Sequence, residues 1–172
     1  RALEIDPLSP RSGAFLALDY FALGEYDLAI EQYKKTLELY PNHFLINLGP
    51  IYQKKGMREE ALKEFLEGER RAGMPQEELA ALQRASAESG WQGYWRKRLE
   101  LAQQRAKQKP VQAITLAFIY VQLDEKDLAL DWLEKAYKER NMGLILLGFD
   151  PRWSSLRTEP RFNDLLRRMR LS

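Results

Sequence analysis

The chain has 172 residues, of which 45% are hydrophobic, enough for a folded core and too apolar for wholesale disorder. Its 27 basic and 25 acidic residues leave a net charge of +2, a balance that by itself points to neither a nucleic-acid nor a membrane partner. It has no cysteine, which removes disulfides and thiolate metal sites and fits an oxidising or a reducing compartment equally.

The first residues, Ala2-Leu3-Glu4-Ile5-Asp6-Pro7, match Thr36-Leu37-Glu38-Leu39-Tyr40-Pro41 at a spacing of 34. The chain is therefore expected to begin in the last turn of an earlier repeat (residues 1–8) and to be the C-terminal piece of a longer protein. Pro10 to Leu23 reads as a helix with Ser9 as N-cap and Pro10 where its missing N–H does no harm. Gly24 ends it, and Tyr26 to Leu39 is the second helix, closed by Pro41. Phe44 to Lys55 and Arg58 to Arg71 form the next hairpin around Gly56, and Gly73 with Pro75 stops it.

A third hairpin runs from Glu77 to Glu88, through Gly90, and on from Trp91 to Lys107. Here Ser86 stands where the other hairpins have tyrosine, and Trp95 where they have alanine. Trp95 either fills the space that Ser86 leaves or forces a local bend with an exposed pocket. Val111 to Arg140 restores the pattern, and Leu144 to Leu147 with Phe149 is a short apolar run. Asp150-Pro151 starts a short helix with Asp150 as N-cap. Thr158-Glu159-Pro160 starts a last one, whose Phe162, Leu165, Leu166 and Met169 recur at helical intervals. That amphipathic helix is expected to cap the open end of the stack.

The hairpins repeat one another. Leu16-Ala17, Tyr20, Gly24, Ala29 and Tyr33 return as Leu48-Gly49, Tyr52, Gly56, Ala61 and Phe65. They return again as Leu116-Ala117, Tyr120, Asp124, Ala129 and Leu133. Tyr52 lies 32 residues after Tyr20, and Tyr120 lies 68 after Tyr52. A period of about 34 residues is the mark of stacked helical hairpins, none of which buries both its faces alone.

This pattern resembles the tetratricopeptide repeat over nearly the whole chain. The resemblance implies one all-α domain, a right-handed α-α superhelix of about four hairpins with a C-terminal helical cap. Its repeats are expected at 9–41, 42–75, 76–109 and 110–141, and the cap at 142–172. The segment from Asp150-Pro151-Arg152-Trp153 to Pro160-Arg161-Phe162 is similar to the C-terminal end of tetratricopeptide regions in large bacterial signalling proteins. In those proteins such regions follow a kinase, a winged-helix or a nucleotide-cyclase domain.

In the family, the first helix of each hairpin lines a concave groove. Projected here, the resemblance implies a partner-binding groove of Ala14, Leu18, Phe21, Ile46, Asn47, Pro50, Gln53, Arg84, Ile114, Phe118 and Val121, with His43 and Val111 beside them. Family members that grip a peptide carboxylate use inward lysine, asparagine and arginine. The equivalent places here hold Ala14, Leu18, Asn47, Glu77 and Ala81, and only Asn47 fits. The groove is mostly apolar and suits an amphipathic helix or an extended apolar peptide. The alternatives are that the protein's own tail, or the part expected before Arg1, fills it, or that two copies dimerise through it.

Chemistry finds little footing. With no cysteine and a single histidine, His43, which reads as a loop or groove residue, a nucleophilic triad has few options, and neither a zinc site nor a cofactor is expected. No phosphate-cradling glycine loop is present. Glu59-Glu60 and Glu77-Glu78 are adjacent on helices and splay apart. The longest apolar run, Ala113 to Val121, is broken by Thr115 and falls far below the roughly 18 residues that span a bilayer. Arg96, Lys97, Arg98, Arg105, Lys107 and Lys109 cluster beside Trp91, Tyr94 and Trp95, and a second basic group lies in 150–172. Rings among basic residues can stack single-stranded bases, but buried rings and a solvated face explain the first cluster more simply. The expectation is a noncatalytic module for a protein or peptide partner.

Overall fold

The computed structural model describes residues 10–40 and 48–171. The Ser9 cap, Pro41, His43, Ile46, Asn47 and the inferred repeat end at 1–8 lie outside the described residues. Among those described, every regular element is helical and none is a strand. The fold is all-α and built of helical hairpins. The chain divides into two compact units, Arg1–Arg84 and Ala85–Ser172, and the division falls inside the first helix of the third hairpin.

Unit 1 contains helices α1 (Pro10–Ala22), α2 (Tyr26–Leu39), α3 (Gly49–Lys54) and α4 (Arg58–Arg71), and the start of α5 (Gln76–Ala106). The α1–α2 turn shows why glycine recurs with the period. The Glu25 N–H reaches back to the Tyr20 carbonyl at 2.9 Å. That six-residue closure requires a left-handed residue, and Gly24 supplies it with φ 81°. The α3–α4 turn repeats it, Met57 N–H to Tyr52 carbonyl at 2.9 Å across Gly56 with φ 79°. The repeated tyrosine thus marks both a half-buried side chain and the carbonyl on which the turn closes. Ala29 and Ala61 are fully buried where a larger side chain would separate the helices. Ala17, Phe21, Ala29, Tyr33, Leu48 and Ile51 form the core of this unit, with Leu18, Tyr20 and Tyr52 packed on it.

Unit 2 contains the rest of α5, then α6 (Ala113–Gln122), α7 (Lys126–Lys138), two 3-10 turns (Met142–Leu146 and Pro151–Leu156) and α8 (Pro160–Met169). Helix α5 is broken at Ser89 (φ −136°, ψ 17°) and Gly90 (φ 55°, ψ −135°), so it is two helices, 76–88 and 91–106. The α6–α7 turn repeats the unit 1 geometry, Glu125 N–H to Tyr120 carbonyl at 3.0 Å, with Asp124 in the glycine place at φ 62°.

The C-terminal segment completes this unit. Asp150, fully buried, caps the second 3-10 turn: its carboxylate accepts the Arg152 N–H at 2.9 Å and the Arg152 Nε at 2.7 Å. The Thr158-Glu159-Pro160 start of α8 differs from expectation. Glu159 makes no side-chain cap, and its carboxylate instead receives Lys126 Nζ at 2.9 Å. Leu144, Leu147, Trp153, Leu156, Phe162, Leu165 and Leu166 join the buried cluster of α6 and α7. Each such side chain contributes about 1.5–3 kcal/mol on burial. The ion pairs that flank them, Arg161–Asp131 at 2.7 Å and Arg168 with Glu134, are solvent-screened and contribute far less. Burial holds the C-terminal segment in place; the charges fix its register.

Candidate partner-binding surface

Helix α1 places Ala14 and Leu18 one turn apart, half-buried against the unit 1 core. Phe15, beside them, is 51% exposed. Phe21, also expected in the groove, is 3% exposed and packs on Tyr26 with ring centroids 6.0 Å apart. It is a core residue and offers no open surface. Pro50 is likewise buried, because it opens α3 beside core Ile51. Gln53 is half-buried and Arg84 is exposed. Ile46 and Asn47 lie outside the described residues, so the fit of Asn47 to a carboxylate clamp rests on sequence alone.

In unit 2 the equivalent face of α6 carries Ile114, Phe118 and Val121, all packed against the core. Phe118, half-buried, meets two tryptophans edge-on, with Trp95 at 5.6 Å and Trp153 at 6.0 Å between ring centroids. The Arg152 guanidinium stands 5.7 Å from its ring. Gly143 packs so closely on Ile114 that an added Cβ would lie 3.0 Å from Ile114 Cδ1. Residues 143–153 of this chain therefore occupy the α6 face, and the sequence pattern gave no sign of where that segment would dock.

Trp95 does not line an exposed pocket. It is 3% exposed and packs edge-on to Tyr94 at 4.9 Å. The close approach in this hairpin is made two residues earlier, at Gly93. A Cβ there would lie 2.0 Å from the Ala85 carbonyl oxygen and 2.7 Å from Ser89 Cβ. The missed signal was the small residue itself, displaced from the periodic slot.

The rings beside the first basic cluster are largely taken up by the fold. Tyr94 and Trp95 are buried, and Trp91 donates its indole N–H to the Gln122 carbonyl at 3.1 Å. Lys97 pairs with Glu100 at 2.5 Å. In the second group Arg152, Arg161, Arg167 and Arg168 all pair with carboxylates, and Arg157 donates to the Gly148 carbonyl at 2.8 Å. Among the described residues no three His, Asp or Glu side chains converge as a metal set, and no helix is long and apolar enough to cross a membrane.

Two further surface features stand out in unit 2. Met142, Ile145 and Phe149 are exposed at 76%, 53% and 46%, and Met142 and Ile145 lie one 3-10 turn apart. An open cavity of about 510 Å³ lies among Pro110, Val111, Leu116, Trp132, Lys135 and Asn141.

The family model of the tetratricopeptide repeat matches residues 15–43, which covers most of α1 and all of α2. No curated protein matches the chain.

Proposed function

We propose that this chain, a tetratricopeptide repeat protein, is a noncatalytic interaction module that receives an apolar peptide or amphipathic helix on the exposed face of α1. Tetratricopeptide repeats in general mediate protein–protein interaction. The observation that carries the finer reading is the contrast between two equivalent faces. On α6, Phe118 is half-buried and its ring meets Trp95 and Trp153 edge-on. On α1, Leu18 and Ala14 are half-buried with Phe15 half in solvent. Apolar side chains at one-turn spacing are what a docking helix or extended peptide engages.

The test is a peptide-library screen on wild type and on Leu18→Asp, with circular dichroism confirming that the variant stays helical. Loss of capture by the folded variant is the expected result. Equal capture by both would remove α1 as the docking face. Phe118→Asp is a folding variant on this reading, because its ring is held on two sides by the chain itself.

The likeness of residues 150–162 to the C-terminal end of tetratricopeptide regions in large bacterial signalling proteins supports a regulatory place for the module in a longer protein. The exposed group Met142, Ile145 and Phe149 favours a second reading, self-association through that surface. Sedimentation over a concentration series, on wild type and Ile145→Asp, separates the two: a dimer abolished by the substitution supports self-association, and a monomer throughout removes it.

A further inference from the structure

We propose that the open cavity of unit 2 is a second docking site, for an acidic peptide segment that seats an apolar side chain beside Trp132. At about 510 Å³ the cavity is within the size range of ligand sites. Its walls combine Pro110, Val111, Leu116 and the Trp132 ring with a few polar groups, the composition that orients a bound side chain. None of these residues belongs to the α1 face, so either site stands without the other.

Charge selects the occupant. Lys135 lines the cavity. Lys107 and Lys109 flank the lining residues Ala106 and Pro110 along the chain, and Lys138 and Arg140 flank Glu139 and Asn141. All five cations are exposed, and Glu139 is the only carboxylate in the lining. Lys135 Nζ lies 3.9 Å from Glu139 Oε1 and 4.5 Å from the Trp132 ring centroid. Both contacts are long and solvent-exposed, so an incoming carboxylate can draw the ammonium away at little cost. One lysine in an otherwise largely apolar lining, with four exposed cations adjacent to it in sequence, complements a segment in which acidic and apolar residues alternate.

A single-stranded nucleic acid fits less well. Trp132 is half-buried, which leaves little ring face for stacked bases.

The test is fluorescence anisotropy of a labelled dodecapeptide alternating glutamate with leucine and phenylalanine, titrated with the full chain. The same peptide with lysine for glutamate and a labelled oligothymidylate of equal length serve as controls. The acidic peptide should bind, and the Lys107→Glu/Lys109→Glu variant should bind it about tenfold more weakly. Arg96→Glu, a charge reversal outside the lining, should bind as wild type. Both altered lysines are exposed, so the double variant is expected to fold, and thermal melts verify it. The proposal is overturned if the acidic peptide does not bind, if the double variant binds it as wild type does, or if the oligothymidylate binds as tightly.

Discussion

Arg140 follows α7 in the left-handed region with φ 54°, where Gly73 follows α4 with φ 77°. Both positions serve the same closure: Asn141 N–H bonds the Ala136 carbonyl and Met74 N–H the Glu69 carbonyl, each at 3.0 Å. A side chain in that region costs about 1–2 kcal/mol, and glycine returns part of the gain as unfolded-chain entropy. Arg140→Gly should therefore raise stability by about 0.5–1 kcal/mol in urea denaturation. Gly93→Ala should do the reverse and cost about 2 kcal/mol or more, since its Cβ would strike backbone rather than a flexible side chain. Glu64 gives a pH signature. Burial pushes its carboxyl above the ordinary range, against the opposing pull of Arg71, whose guanidinium lies 4.0 Å away. A raised carboxyl means the folded state holds its proton more tightly than the unfolded chain. The resulting cost is absent below the unfolded value and sets in as pH rises through the folded one. The stability difference between Glu64→Gln and wild type should shift in the variant's favour as pH rises through and above the ordinary carboxylate range, as read from denaturation midpoints.

Elements were legible wherever spacing and turn chemistry agreed. Tyr26–Leu39 and Arg58–Arg71 have the bounds read from sequence, because a left-handed glycine two residues upstream of each fixes the start. The third hairpin was legible as helix, turn and helix, but its packing was not. Periodicity placed the small residue at 95, whereas the helices meet at Gly93, after a turn whose Gly90 has ψ −135°. Periodicity counts residues along the chain and carries no information on how a turn aims the helix that follows it. Phe21 shows the same limit at the site: its register matches Leu18, yet contact with Tyr26 buries it. The C-terminal segment was foreseen as a cap, from Asp150-Pro151 and the α8 stripe. The edge-on meeting of Phe118 with Trp153 was not, because it depends on a contact across 35 residues of chain. The cap is held by burial on this account. Phe162→Ala should destabilise the chain by about 3–5 kcal/mol, and Arg161→Ala by a small fraction of that. Equal effects in denaturant titrations would shift the weight to the ion pairs.

For the chain as a whole, the two equivalent helices have different fates. The half-buried α6 face meets Gly143 and Trp153 of the same chain, and the half-buried α1 face has Phe15 beside it, 51% exposed. The proposed docking face is therefore that of α1. Backbone amide exchange, with and without a peptide captured from the library, tests that most directly. Added protection confined to Pro10–Ala22 is the predicted result. Protection that appears instead on Ala113–Gln122, with exposure of residues 143–153, would contradict it.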